Sequence, residues 1–386
     1  MFGYFMNIIE KRLLSILSSF IYNKTIGTED FVVRNEKEWT DLYKLSKQQG
    51  VTAIVFVKLS DAIDNNPSFP KPSRSIIMQW YSHSLAIEKK MNLIHTLSAK
   101  FSQVMRNKGL RTLVLKGIAI SEYYLNPLHR EFGDLDCYLF EQKDKDIWWN
   151  DAYEKGNVAA EEALAEVHRG HYKHSHITYK KLTVENHQFC LPIRGSKRTK
   201  ELERHLRGIL EKQMAGSKQL EGDFIVPSAD FNALFLTAHG MNHFLYESIK
   251  MRHVLDWALF LKAEYLNVDW KMFWEWCDKM HYSRFVDCVN WICENKLGMD
   301  AEMMKLVGRK RNTTFDVEKW ANRVLDDIFH GDSVYNKRNS AVIVRLNLAK
   351  NFFQSAWKYR HIAQKNFVVD LVRQGSAMIW DRNPKL

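Results

Sequence analysis

The sequence predicts an α+β protein in which a small mixed sheet is flanked by N-terminal and C-terminal helical regions. Three observations predict it. Apolar residues recur at helical spacing through the opening segments and again from Pro227 onward. Between these regions the pattern shortens to strand-like runs, RTLVLKG, LDCYLF and HSHITYKKLTVENHQF. The composition is 46% apolar and 26% charged, with 7 prolines in 386 residues, which is globular rather than disordered or fibrous. A chain of this length suits two or three domains. The expected division is an N-terminal helical region over 1–95, an αβ core over 96–225 and a C-terminal helical region over 226–386.

The elements follow in order. MFGYFMNIIEKRLLSILSSFIY is interrupted by Glu10, Lys11 and Arg12, so it reads as an amphipathic helix, packed on the protein or touching a membrane or partner, without stable insertion. EKEWTDLYKLSKQQGVTAIVFVKLSDAI reads as helix with a break at Gly50, and NNPSFPKPS as a turn. A long helix is expected from an N-cap at Ser73 to Asn107, ended by Lys108-Gly109. RTLVLKG is then a strand, IAISEYYL a short helix and LDCYLF a second strand. A charged helical stretch is expected from Asp144 to Leu164. The hairpin that follows has Lys180 and Lys181 near its turn and Glu185 on its second arm. Ser228 is the expected N-cap of the next helix, and the Trp-rich WKMFWEWCDKM reads as core or interface.

The chemistry concentrates around REFGDLDCYLF. Residues two apart on a strand point to one face, so Asp134 and Asp136 repel one another unless a cation lies between them. With Glu185 on a neighbouring strand they form an oxygen-rich cluster suited to Mg²⁺ or Mn²⁺. Just upstream, Gly117 marks a strand-to-helix turn whose backbone N–H groups can face a phosphate, and Lys116 and Arg130 add cationic donors. No GxSxG motif, P-loop or GxGxxG appears, so hydrolase, P-loop kinase and Rossmann readings find no support.

On LVLKGIAISEYYL, REFGDLDCYLF, VENHQF, LTAHGMNHF and MRHVLDWALFLK the chain resembles the nucleotidyltransferase superfamily, and within it the bacterial group described as uncharacterised nucleotidyltransferases. The resemblance implies an enzyme that moves a nucleoside monophosphate from an NTP such as ATP to an acceptor, with release of pyrophosphate and dependence on Mg²⁺ or Mn²⁺. It implies Asp134, Asp136 and Glu185 as metal ligands and catalytic carboxylates, with Lys116, Gly117 and Arg130 on the nucleotide. The acceptor, whether a small hydroxyl or amine compound, a sugar, a protein side chain or an RNA end, stays open. Two positions depart from the common pattern: the turn reads Lys116-Gly117-Ile118 rather than Gly-Ser or Gly-Gly, and the third acid is Glu185 rather than Asp. Two other readings stand beside the enzyme: a nucleotide-sensing module of the same fold, and a nucleic-acid-binding protein.

The last of these draws on charge. Of the formal +11, residues 301–386 carry 16 Lys and Arg against 8 Asp and Glu, interleaved with Trp320, Tyr335, Phe352, Phe353, Trp357 and Tyr359. The same pattern also fits a solvated helical surface over core aromatics. Five cysteines without CxxC spacing fit a reducing cytoplasm. His168, His171, His174 and His176 suit either a transition metal or hydrogen-bonded support beside the cleft, and His239 and His243, four apart, suit zinc or polar support.

Overall fold

The computed structural model describes residues 5–28, 31–143, 146–148, 152–213, 219–220, 222–246, 248–309, 314–331 and 355–365. They cluster into two compact units. One is drawn from described residues within 1–87, 239–265 and 281–367, the other from those within 88–238 and 266–280.

The first unit is helical. α1 (Ile8–Tyr22) begins with a capping box between Asn7 and Glu10. Its Leu13, Ile16 and Leu17 are fully buried, and Arg12 pairs with Glu38 at 2.8 Å, so the N-terminal helix is packed on the protein. α2 (Glu36–Gln49) ends at Gly50, whose φ of 69° gives the left-handed cap expected from the sequence, and α3 (Thr52–Asn65) follows. The buried Gln49 amide donates to Ile328 O and accepts from Met251 N, both at 2.9 Å. It thereby joins α2 to α9 (Met251–Glu264) and α13 (Val317–His330). No helix among the described residues is long and apolar enough to cross a membrane.

The second unit carries the sheet. α4 (Arg74–Asn107), whose residues to Ile87 belong to the first unit and the rest to the second, starts after Ser73, whose hydroxyl accepts from Ile76 N, and ends before Gly109, with φ of 78°. It leads directly into β1 (Leu110–Val114). β2 (Asp134–Lys143) runs antiparallel to β1 and parallel to β6 (Leu182–His187), and β5 (His174–Tyr179) closes a tight hairpin with β6. The outer strands are β4 (Glu166–His168) beside β5, and β8 (Phe224–Ile225) and β7 (Gln219–Leu220) beyond β1. Mixed directions in one sheet with helices around it make this the α+β fold the sequence predicts.

One face of the sheet is covered by α6 (Ala152–Glu162). Gly156 lets the helix approach so closely that a Cβ there would overlap Leu139 Cδ1. Asn157, buried at the same contact, accepts from Ser175 Oγ at 2.5 Å and Asn186 Nδ2 at 3.0 Å.

Two local expectations change. The charged helix expected from Asp144 is α6 alone, because Asp146–Trp148 forms β3 against β2, as Ile and Trp favour a pleated edge. The short helix expected over IAISEYYL is regular only across α5 (Ile118–Ser121), and continues as i→i+3 turns through Tyr124 before Asn126-Pro127. The strands β4, β7 and β8 had no reading in the sequence.

Of the basic C-terminal region, Tyr335, Phe352 and Phe353 lie outside the described residues. Within them, Trp320 stacks on Trp357 at 6.0 Å and on His361 at 4.3 Å, Tyr359 is buried, and the buried Lys358 pairs with Asp327 at 2.6 Å. Trp357 and His361 thus both pack on Trp320.

Candidate active site

Strand alternation and register assemble the site. Asp134 and Asp136 share one face of β2, and the parallel register sets Asp134 opposite Thr183 and Asp136 opposite Glu185 on β6. His187, two beyond Glu185, continues the same face. On β5, His176 stands opposite Glu185 and His174 opposite His187. Six polar side chains therefore crowd the face opposite α6. Lys116 reaches them from the end of β1, where Leu115 N donates to Asp136 O at 3.0 Å and carries the ladder one residue past the strand.

Asp136 is the centre. Its Oδ1 lies 3.1 Å from Lys116 Nζ and 3.2 Å from His187 Nε2, while its buried Oδ2 has no hydrogen-bond partner. Burial pushes its pKa up, but the Lys116 ammonium and the His187 contact outweigh that and hold it below the usual carboxylate value. Burial pulls Lys116 down, yet the carboxylates of Asp136, Asp134 and Glu185 leave its pKa raised. Asp134, half-buried, is pushed up to about 6 by burial and by the neighbouring Asp136 charge. The cation that relieves the aspartate pair is thus Lys116, a residue of the chain.

Glu185 is engaged on both sides. Its Oε2 lies 2.8 Å from His174 Nδ1 and 3.4 Å from His187 Nε2, and its Oε1 lies 3.9 Å from His176 Nδ1. Burial raises its pKa, but His174 and His187 more than reverse this and lower it. Burial and Lys173 lower His187, while its contacts with Asp136 and Glu185 raise it further than that. His187 Nδ1 faces Phe189 O at 2.9 Å, so Nδ1–H donates there and Nε2 is turned to the carboxylates.

The segment after β6 is fixed by Glu203 on α7 (Lys197–Gln213). This buried carboxylate accepts from Tyr138 Oη at 2.6 Å, Cys190 N at 3.2 Å and Leu191 N at 3.0 Å. Tyr138 lies two residues beyond Asp136 on the same strand face, so one buried acid braces both β2 and the His187 anchor.

Of the residues predicted from the sequence, Lys116, Asp134, Asp136 and Glu185 form one electrostatic cluster. Gly117 and Arg130 meet at the adjoining turn. Gly117 has φ of 61° and ψ of −104°, a conformation that favours glycine, and a Cβ there would lie 3.2 Å from Phe132 Cδ2. Arg130 is buried, donates to Gly117 O at 3.3 Å and lies over the Phe132 ring. Its guanidinium braces the turn. His187 and Lys173 had no reading in the sequence. The signal for His187 was present, since its spacing from Glu185 equals that between Asp134 and Asp136.

Asp136, Glu185 and His187 each place one possible ligand atom within 4.8 Å of the others, two carboxylates and an imidazole, and Asp136 Oδ2 is buried without a hydrogen-bond partner, so the cluster could take a divalent cation. A family model described as "Uncharacterised nucleotidyltransferase" matches residues 35–298. No curated protein and no solved structure matches the chain.

Proposed function

The chain belongs to the uncharacterised nucleotidyltransferase family, and from that premise we propose that it moves a nucleoside monophosphate from an NTP to a nucleophilic acceptor and releases pyrophosphate. The observation that carries the reading is Asp136, buried with one oxygen on Lys116 and His187 and the other without a partner, beside Asp134 and Glu185. Asp134, Asp136 and Glu185 would hold Mg²⁺ or Mn²⁺, which supplies positive charge against that developing on the phosphates.

The chain's own residues would do the rest. Lys116 offers an ammonium to a phosphate oxygen next to the carboxylates, and Gly117 lets that phosphate approach the turn backbone. Arg130 holds the Gly117 carbonyl and so sets the turn. His187 keeps Asp136 and Glu185 ionised and aligned. The acceptor oxygen or nitrogen bonds to the α-phosphorus, the bond to the bridging oxygen of the β-phosphate breaks, and pyrophosphate leaves with that electron pair. The acceptor's proton passes to solvent water, with Glu185 kept ionised by His174 and His187 as a metal ligand.

The test uses NTPs labelled at the α-phosphate, incubated with Mg²⁺ or Mn²⁺ and fractions of cell lysate. Labelled acceptor and equal pyrophosphate are expected. Asp136→Asn should abolish both, and Glu185→Gln should lower transfer by at least about 10²-fold. Transfer by Asp136→Asn at the wild-type rate would overturn the assignment. The sensor reading is favoured by Lys116-Gly117-Ile118, where a bulky apolar residue replaces a small hydroxyl. Metal-dependent NTP binding with no pyrophosphate would select it.

A further inference from the structure

We propose that His174, His176 and Glu185 form a second metal site, selective for a transition-metal ion of the zinc class, on the hairpin of β5 and β6. His174 and His176 are two apart on β5, and the antiparallel register sets Glu185 opposite His176 and diagonal to His174. Two imidazoles and a carboxylate thus project from one face of a rigid two-stranded ribbon. Their ligand atoms all lie within 4.8 Å of one another.

The distances suit a metal. Donors at about 2.1 Å from a tetrahedral ion stand roughly 3.4 Å apart. The two oxygens of the one carboxylate stand near that distance, Oε2 at 2.8 Å from His174 Nδ1 and Oε1 at 3.9 Å from His176 Nδ1. A second observation is independent of spacing. His174 Nδ1 is buried and, although close to Glu185 Oε2, makes no aligned hydrogen bond. A cation shared between this nitrogen and the carboxylate would satisfy both atoms. His176, by contrast, is exposed, so an ion can enter from solvent and keep water as its fourth ligand.

Ligand type sets the selectivity. Two imidazoles and one carboxylate favour Zn²⁺, Co²⁺ or Ni²⁺ over Mg²⁺, which prefers oxygen and keeps its waters. Asp134 and Lys116 take no part, and the site adjoins the Asp136 cluster, with which it shares Glu185. The inference does not rest on nucleotidyl transfer, and its readout is metal binding alone.

The full chain, stripped with chelator, is titrated with Co²⁺ and followed by its visible d–d absorption. About one equivalent should bind with tetrahedral-type bands, be displaced by Zn²⁺ and resist millimolar Mg²⁺. His176→Ala, at an exposed position, should weaken Co²⁺ by at least about tenfold, since even groups that only support ligands carry 10–100-fold. The double variant His174→Ala/His176→Ala should abolish the bands, with far-UV circular dichroism unchanged for His176→Ala. His243→Ala should leave them intact. Bands that survive the double variant, bands lost in Asp134→Asn but kept in His176→Ala, or the absence of any bound Co²⁺ would each overturn the site.

Discussion

Asp134 and His187 bend the stability of the metal-free protein in the same direction with pH. Each has a folded-state pKa above its ordinary value, so the folded chain holds a proton more tightly than the unfolded chain. For Asp134 the loss of stability runs from about pH 4 to about 6, and for His187 it begins as pH rises past its unfolded value near 6.5. Asp136 and Glu185 act oppositely, because their lowered pKa values give stability that is lost only as pH falls below the ordinary carboxylate range. Asp134→Asn mimics the protonated acid. In chelator it should match wild type near pH 4 and exceed it above pH 6, by up to about 3 kcal/mol, two pKa units at 1.36 each. Urea unfolding at both pH values measures this, and no gain at pH 7.5 would show that burial and the Asp136 charge do not raise Asp134. The carboxylates were legible in the sequence because strand alternation predicts their common face, and Lys116 because it precedes a turn glycine. His187 carried the same spacing signal, but its partner was not legible, since nothing local says that β6 lies parallel to β2 and brings a buried imidazole against Asp136.

Two glycines show how elements set the site. Gly156 allows α6 to press on Leu139, so Gly156→Ala forces the helix off the sheet and should cost about 1–3 kcal/mol, the range for overpacking. Its effect belongs to stability: the midpoint in urea should fall while the metal affinity of the opposite face is kept. Gly117→Ala is the converse. It demands a left-handed backbone from alanine and crowds Phe132, so the turn that follows Lys116 must shift. On the proposed function, in which this turn faces the outer phosphates, NTP affinity should fall at least about tenfold with a smaller loss for the monophosphate. Equal losses, measured by calorimetry, would take the turn out of phosphate binding. At this scale the sequence showed the long helices, their caps at Ser73, Gly50 and Gly109, and the β5–β6 hairpin. β7 and β8 stayed hidden because two-residue strands are shorter than one period of any pattern, and β8 is defined by its partner β1.

For the whole molecule, charge is the competing explanation for any nucleotide effect. A chain of formal charge +11 attracts polyphosphates through its general field, without any site. The two causes differ in how they respond to salt and to one side chain. Field attraction between exposed charges fades as the Debye length contracts to about 3 Å at 1 M salt, whereas contacts made in a half-buried cluster are screened much less. A ligand that binds only the folded chain stabilises it by about 2.7 kcal/mol at a hundredfold excess over its Kd. Wild type should therefore show slower amide exchange in β2 and β6 with Mn²⁺ and a non-hydrolysable NTP, and most of the gain should persist at high salt. Asp136→Asn should lose it at every salt concentration, though its net charge is one unit more positive and the field attraction correspondingly greater. Stabilisation that survives in Asp136→Asn and vanishes with salt would assign the nucleotide effect to the surface charge and leave the carboxylate cluster without a role in binding the donor.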